Sequence, residues 1–205
     1  MSDPHGHDHA HLSEPDEDSS PSRYQAMEIA VRELLIEKGV LTADEIRRQI
    51  ERMDGAHAGR GGAVVARAWV DPAFKARVLA DGTAACRELG LEVGALKLIV
   101  VENTAQLHNL IVCTLCSCYP WAVLGLPPSW YKSPAYRARI VREPRAVLAE
   151  FGLELPDGTE IRVWDANSET RYLVLPLRAE GTGEMDEDEL ASLITRNGLI
   201  GTASR

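Results

Sequence analysis

The sequence predicts an α+β globular domain behind a two-helix N-terminal arm and a disordered tail. Three observations lead there. Apolar residues recur at helical spacing through the first half of the chain; the period then changes to short runs of branched apolar residues; and 205 residues with 45% apolar and 26% charged content can bury a core of their own. The same composition excludes collagen-like, coiled-coil and wholly disordered chains. A formal charge of −9 argues against nucleic-acid binding, which needs a basic face to displace counterions.

Residues 1–22 carry six acids, four histidines and no Lys or Arg, with almost no large apolar side chain, so they cannot offset their own ordering entropy and read as a disordered, acidic, His-rich tail. From Arg23 onward 22 basic residues face 25 acidic ones, so the body is nearly neutral. Met27, Ala30, Val31, Leu34 and Leu35 predict a helix stopped by Gly39. Thr42 and Glu45 form a capping box for a second helix, whose stripe is Ile46, Ile50 and Met53. These two helices and the glycine-rich segment Gly55–Gly62, read as a flexible linker with a solvated His57, make an arm and linker over 23–62. The apolar stripes of this arm need a cover, for which a partner chain is one candidate. The globular domain then spans 63–205.

Within that domain Asp71-Pro72 opens one helix, and Thr83 opens another that Gly90 closes. Leu96–Glu102 and Asn109–Cys113 read as strands joined by a short polar turn. Ser133-Pro134 and Glu143-Pro144 start two further helices, the second running to Gly152. Glu160–Asp165 and Arg171–Pro176 read as a hairpin, and Asp186–Arg196 as a last helix. No basic start followed by an apolar run marks a signal peptide. The uncharged stretch Asn109–Tyr131 is interrupted by Pro120, Gly125, Pro127 and Pro128, which a membrane helix would not accept. A cytoplasmic, membrane-free location is expected.

Chemistry concentrates in Val112-Cys113-Thr114-Leu115-Cys116-Ser117-Cys118-Tyr119-Pro120-Trp121, where three of the four cysteines follow C-x-x-C-x-C spacing. A C-x-x-C loop converges two thiolates on a soft or borderline metal. With Cys116 and Cys118 both bound, the amide nitrogens of Ser117 and Cys118 are carried to the same ion, closing six- and five-membered chelate rings. If both amides deprotonate, three sulfurs and two nitrogens fill five octahedral positions and leave one open. Five anionic donors suit a trivalent, low-spin ion, Co(III) or alternatively Fe(III), better than Zn(II). So electron-rich a metal is a weak Lewis acid; oxidising sulfurs to sulfenate or sulfinate withdraws density and places oxygens beside the open position. A structural Cys3His zinc site recruiting His108 is the rival, in a zinc-stabilised interaction subunit with no enzymatic role. An iron-sulfur cluster recruiting Cys86 lacks a second cysteine pair, and Cys86 reads as a buried small residue.

This segment, continued as LGLPPSWYKSPAYRARIVREPR, resembles the alpha subunit of nitrile hydratase. The resemblance extends through DPAFKARVLADGTAAC, VVENT, VLAEFG, EIRVWD, ETRYLVLP and ITRNGLIG, over most of residues 24–201. Thr114 and Tyr119 match the cobalt type. The sequence departs from the family at Ala122, where Pro is usual, in LEVGALKLIV, which lacks a Gln-Gly-Glu piece, and at Glu184-Met185.

The resemblance implies a layered α/β/β/α fold. It implies Cys113 as the unmodified axial thiolate, Cys116 as sulfinic acid and Cys118 as sulfenic acid, with the backbone nitrogens of Ser117 and Cys118 as the remaining ligands. Cys118 and the Ser117 hydroxyl would act in catalysis, and Trp121 would line the substrate pocket. Arginines from a beta-type partner would hold the sulfur-bound oxygens, and a separate protein would deliver cobalt. The expected reaction is hydration of a small nitrile to its amide, the carbon being attacked by the oxygen on Cys118 or by metal-activated water. Thiocyanate hydrolase, whose metal-bearing gamma subunit also carries a His-rich tail, is the alternative. His5, His7, His9 and His11 resemble a chelator, but a disordered segment without fixed geometry is expected to have no catalytic role. Glu169, Arg171, Arg137, Arg139 and Arg142 are candidates to brace the metal loop or the partner.

Overall fold

The computed structural model describes residues 22–205 except 95. The His-rich tail expected over 1–22 lies, but for its last residue, outside the described residues. The described residues divide into two compact units, one ending at Arg48 and the other running from Gln49 to Arg205.

In the first unit, Ser22 and Gln25 form a capping box that opens α1 (Arg23–Glu37). Gly39 follows with φ +66°, a conformation that stops the helix at little cost for glycine. No residue of α1 is buried, and Tyr24, Met27 and Val31 are largely exposed. The expected Thr42–Glu45 box opens α2 (Ala43–Asp54), with the Thr42 N–H donating to the Glu45 carboxylate at 2.8 Å and the Glu45 N–H to the Thr42 hydroxyl at 3.2 Å.

In the second unit the glycine-rich segment is not a linker. His57 caps α3 (Ala58–Val70), so the boundary expected at residue 62 falls inside a helix. Gly61 and Gly62 are buried because the helix is crossed closely there: a Cβ would lie 2.7 Å from the Leu199 side chain at Gly61 and 2.8 Å from the Ala191 carbonyl at Gly62. Asp71 and Asp81 cap α4 (Pro72–Ala80) and α5 (Gly82–Glu88). Thr83, expected to open α5, instead accepts from the Leu98 N–H at 2.8 Å and ties the helix to the sheet.

β1 (Lys97–Glu102), β2 (Leu107–Val112), β3 (Glu160–Asp165) and β4 (Thr170–Leu175) form two parallel pairs, β1 with β4 and β2 with β3. The expected β3–β4 hairpin is therefore wrong. The chain does reverse at Asn167, whose side chain accepts from the N–H groups of Glu169 and Thr170 at 2.9 Å. The two strands nevertheless belong to different sheets. The reason is the residue pattern: Leu110–Val112 and Leu173–Leu175 are buried at every position, so both faces of these strands need cover. Two sheets touching through β2 and β4 provide it.

Between β2 and β3 lie four short helices, α6 (Trp121–Leu124), α7 (Ser129–Lys132), α8 (Pro134–Arg139) and α9 (Pro144–Glu150). The last predicted helix is two, α10 (Glu187–Ser192) and α11 (Arg196–Ile200), because Thr195 caps a new start. Among the described residues, no helix is long and apolar enough to cross a membrane.

Candidate metal centre

β2 delivers Cys113, which has 0% exposure, to the end of its sheet. The chain then turns back on itself, with the Cys116 N–H donating to the Cys113 sulfur at 3.3 Å. The Sγ atoms of Cys113 and Cys116 lie 3.4 Å apart, those of Cys116 and Cys118 3.3 Å apart, and all three within 4.8 Å of one another. No pair is a disulfide. Thr114, Leu115, Cys116 and Ser117 are exposed, and Cys118 is half-buried.

Four contacts hold this loop. The register pairs Val112 with Asp165, and the Asp165 carboxylate accepts both the Thr114 N–H, at 2.9 Å, and its hydroxyl, at 2.5 Å. The Ala166 N–H donates to the Val112 carbonyl at 2.7 Å. The Tyr131 hydroxyl donates to the Cys118 carbonyl at 3.0 Å, and Arg137 donates to the Cys116 carbonyl at 3.0 Å. Burial raises the Tyr131 pKa above the ordinary phenol range, so the hydroxyl keeps its proton. An edge-to-face aromatic cluster of Tyr119, Trp130, Tyr131, Tyr136 and Phe151 packs around it.

The thiols differ in acidity. Cys116 is brought down to about 7, first by hydrogen bonds from the Cys118 and Cys113 thiols, then by the backbone N–H groups of Ser117 and Cys118. Cys118 is pushed up to about 12, first by burial and then by its hydrogen bonds with Cys116 and Cys113, against the opposing charge of Arg171. The amides that stabilise the Cys116 thiolate, those of Ser117 and Cys118, are the ones whose nitrogens would reach a metal ion held by Cys116 and Cys118. Three converging sulfurs with two amide groups turned towards one of them fit a thiophilic metal ion.

A cleft of about 430 Å³ opens at the sulfurs, lined by the three cysteines, Leu115, Asp165 and residues 166–168. Trp121 lines a separate recess of about 20 Å³ with Tyr119, Pro120 and Arg171. His108 is not available to the thiols. It sits at the far end of β2, five residues or roughly 16 Å along the strand. Its Nε2–H donates to the Gly201 carbonyl at 2.6 Å, and its Nδ1 accepts from Asn103 at 3.3 Å. Burial lowers its pKa, so it is a neutral histidine satisfied in the core. The Cys3His zinc arrangement is thereby overturned. Cys86 is buried on α5, its thiol pushed up to about 12 by burial.

Of the candidate braces, Arg137 reaches the loop and Arg171 acts electrostatically on Cys118. Arg139 is paired with Glu143 and Glu150, and Arg142 donates to the Ala138 carbonyl. Asp165 and Tyr131 were missed from sequence. Asp165 had a signal, as the polar residue ending a predicted strand; Tyr131, inside an uncharged run, had none.

Three thiols converging on one loop at the end of a parallel strand pair, in a mixed helix-and-strand fold, define the class of site that could hold a thiophilic metal ion. The nitrile hydratase alpha-chain family matches residues 22–203. The chain is 52% identical over 186 residues to the low-molecular-weight cobalt-containing nitrile hydratase subunit alpha of Rhodococcus rhodochrous, covering 89% of this chain and 87% of that one. It is 53% identical over 179 residues to the cobalt-containing subunit alpha of Pseudonocardia thermophila, covering 84% and 86%. Among solved structures, a thiocyanate hydrolase mutant superposes with a TM-score of 0.85 at 43% identity, over 90% of this chain and 91% of that chain. The chain belongs to the nitrile hydratase alpha-chain family.

Proposed function

We propose that this chain is the metal-bearing subunit of a cobalt nitrile hydratase, which adds one water across a carbon-nitrogen triple bond to give an amide. The carrying observation is the thiol loop, with three sulfurs within 4.8 Å beside an open cleft. Identities of 52% and 53% to cobalt-containing nitrile hydratase alpha chains, against 43% to the thiocyanate hydrolase structure, favour nitriles as substrate.

The thiolates of Cys113, Cys116 and Cys118 and the amide nitrogens of Ser117 and Cys118 hold the metal, Co(III) with Fe(III) as the alternative. When bound, the metal supplies a Lewis-acid position that polarises the nitrile. Cys113 stays unmodified, Cys116 is the sulfinic acid and Cys118 the sulfenic acid. Exposure and acidity support that order: the exposed Cys116, with its pKa near 7, is the most oxidisable, the half-buried Cys118 less so, and the fully buried Cys113 is shielded. Cys118 lines the cleft, where the oxygen it would carry could attack the nitrile carbon. The exposed Ser117 hydroxyl would hydrogen-bond the substrate, while Trp121, lining the separate recess with Tyr119, Pro120 and Arg171, stands beside the sulfur cleft rather than in it. The attacking oxygen would become the amide carbonyl oxygen as its bond to sulfur breaks; the oxygen of one water restores it on Cys118, and that water's two hydrogens end on nitrogen.

A beta-type partner supplies arginines to the oxidised sulfurs, a delivery protein brings cobalt, and the assembly works in the cytoplasm. Helices α4, α5 and α11 against β1 and β4, and α9 against β3, support an α/β/β/α layering.

The test is mass spectrometry of the peptide Ile111–Trp121 with cobalt quantification, and assays of the assembled protein on nitriles and on thiocyanate. Two oxygens on Cys116, one on Cys118, stoichiometric cobalt and nitrile turnover are expected. Unmodified cysteines with stoichiometric zinc, or thiocyanate turnover without nitrile hydration, would overturn the reading.

A further inference from the structure

The Cys116 carbonyl oxygen and the Ser117 nitrogen belong to one peptide group, and peptide resonance couples them. A group that holds the oxygen therefore acts on the nitrogen. That group is Arg137, on α8, whose Nη1 donates to the Cys116 carbonyl at 3.0 Å. Two features distinguish it from its neighbours. Among the described residues no carboxylate pairs with Arg137, whereas Arg139 is bound by Glu143 and Glu150. Its Nε is buried without a hydrogen-bond partner, so its positive charge is not satisfied at that atom. The helix that carries it is fixed at its start, where the Ser133 hydroxyl accepts from the Tyr136 N–H at 3.1 Å. It is fixed again by the Tyr136 hydroxyl, which donates to the Ile111 carbonyl of β2 at 2.7 Å.

We propose that Arg137 is a positioning residue for the metal centre, fixing the Cys116–Ser117 peptide and stabilising the negative charge that a metal-bound Ser117 nitrogen shares with the Cys116 oxygen. The inference rests on the ligand set proposed above. A charged donor suits this place because charge-assisted hydrogen bonds are roughly twice as strong as neutral ones. Five anionic donors on a trivalent ion also leave the centre net negative. Loss of an outer hydrogen-bond partner typically weakens metal binding roughly 10- to 100-fold, and that is the size of effect expected here.

The experiment compares wild type, Arg137→Gln and Arg137→Lys as assembled, cobalt-loaded protein, measuring cobalt loss into excess chelator and the sulfur-to-metal charge-transfer bands. Arg137→Gln is expected to lose cobalt at least roughly 10-fold faster, with shifted bands; Arg137→Lys, which keeps the charge, is expected to recover most of the retention. Retention and bands unchanged in Arg137→Gln would overturn the proposal, as would equal loss in both variants with unshifted bands, the signature of a packing role. If wild type itself shows no thiolate-to-cobalt bands, it is the metal reading that fails; wild-type bands with an indifferent Arg137→Gln defeat only this inference.

Discussion

Replacing Tyr131 with Phe isolates one oxygen atom in the support of the metal loop. Tyr131 has 0% exposure, and its edge contacts with Tyr119, at 5.0 Å, and Trp130, at 6.0 Å, depend on the ring rather than the hydroxyl. What is lost is the 3.0 Å hydrogen bond to the Cys118 carbonyl. A bond of this kind contributes about 1 kcal/mol net, which for a chain of this length is roughly 2–4 °C in Tm. Tyr136→Phe is the matched control: it removes a buried hydroxyl that donates at 2.7 Å to Ile111, inside β2 rather than in the loop. Both variants are expected to lower Tm by similar amounts. Tyr131→Phe should speed cobalt loss to a chelator more than Tyr136→Phe, because the Cys118 carbonyl belongs to the loop itself whereas Tyr136 reaches it only through the helix that carries Arg137. If Tyr131→Phe holds cobalt like wild type, or Tyr136→Phe releases it as fast, the claim that Tyr131 positions the loop is wrong.

In metal-free protein, alkylation of Cys116 should rise through a midpoint near pH 7, since its thiolate is the form present above about 7, while Cys118, raised to about 12, stays unreactive below pH 9; peptide mapping after iodoacetamide reads both, and preferential labelling of Cys118 would contradict the assignment. Gly201→Ala places a Cβ 2.1 Å from the Asn109 carbonyl oxygen at a residue with φ +94°, so a loss of more than about 2 kcal/mol is expected in urea unfolding. Removing residues 1–20 should leave nitrile turnover of the cobalt-loaded assembly nearly unchanged; a large drop would give the histidines a role in the loaded enzyme.

Sequence was legible where one residue type has one local use. Ser133-Pro134, Asp71-Pro72 and the Thr42–Glu45 box stand where they were read, because capping is decided within four residues. The one-turn helices α6 and α7 carry no periodicity long enough to detect. Gly61 and Gly62 were misread because glycine serves equally where a chain must be loose and where another element comes too close for a side chain. In the site, the spacing of the three sulfurs was legible and Arg137 stood among the candidate braces, but Tyr131 and Asp165 did not. Arg137, Tyr131 and Asp165 lie 21, 13 and 51 residues from their loop partners, and only the tertiary fold brings them there.

The hairpin misreading matters most, because parallel pairing is what builds the site. In a hairpin, β3 would pair with β4 and leave β2 without its neighbour. Paired in parallel with β2, in a register that sets Val112 against Asp165, β3 brings both chains out of the sheet at the same end. Cys113 and Ala166 are then neighbouring exits, the Asp165 carboxylate meets Thr114, and the cleft forms between the departing loops. The carboxyl ends of parallel strands are where open sheets leave such a crevice. His108, at the opposite end of the same strand, is taken up by Gly201 and Asn103. The direction of β3 therefore decides that the thiols meet a carboxylate clamp and an open cleft.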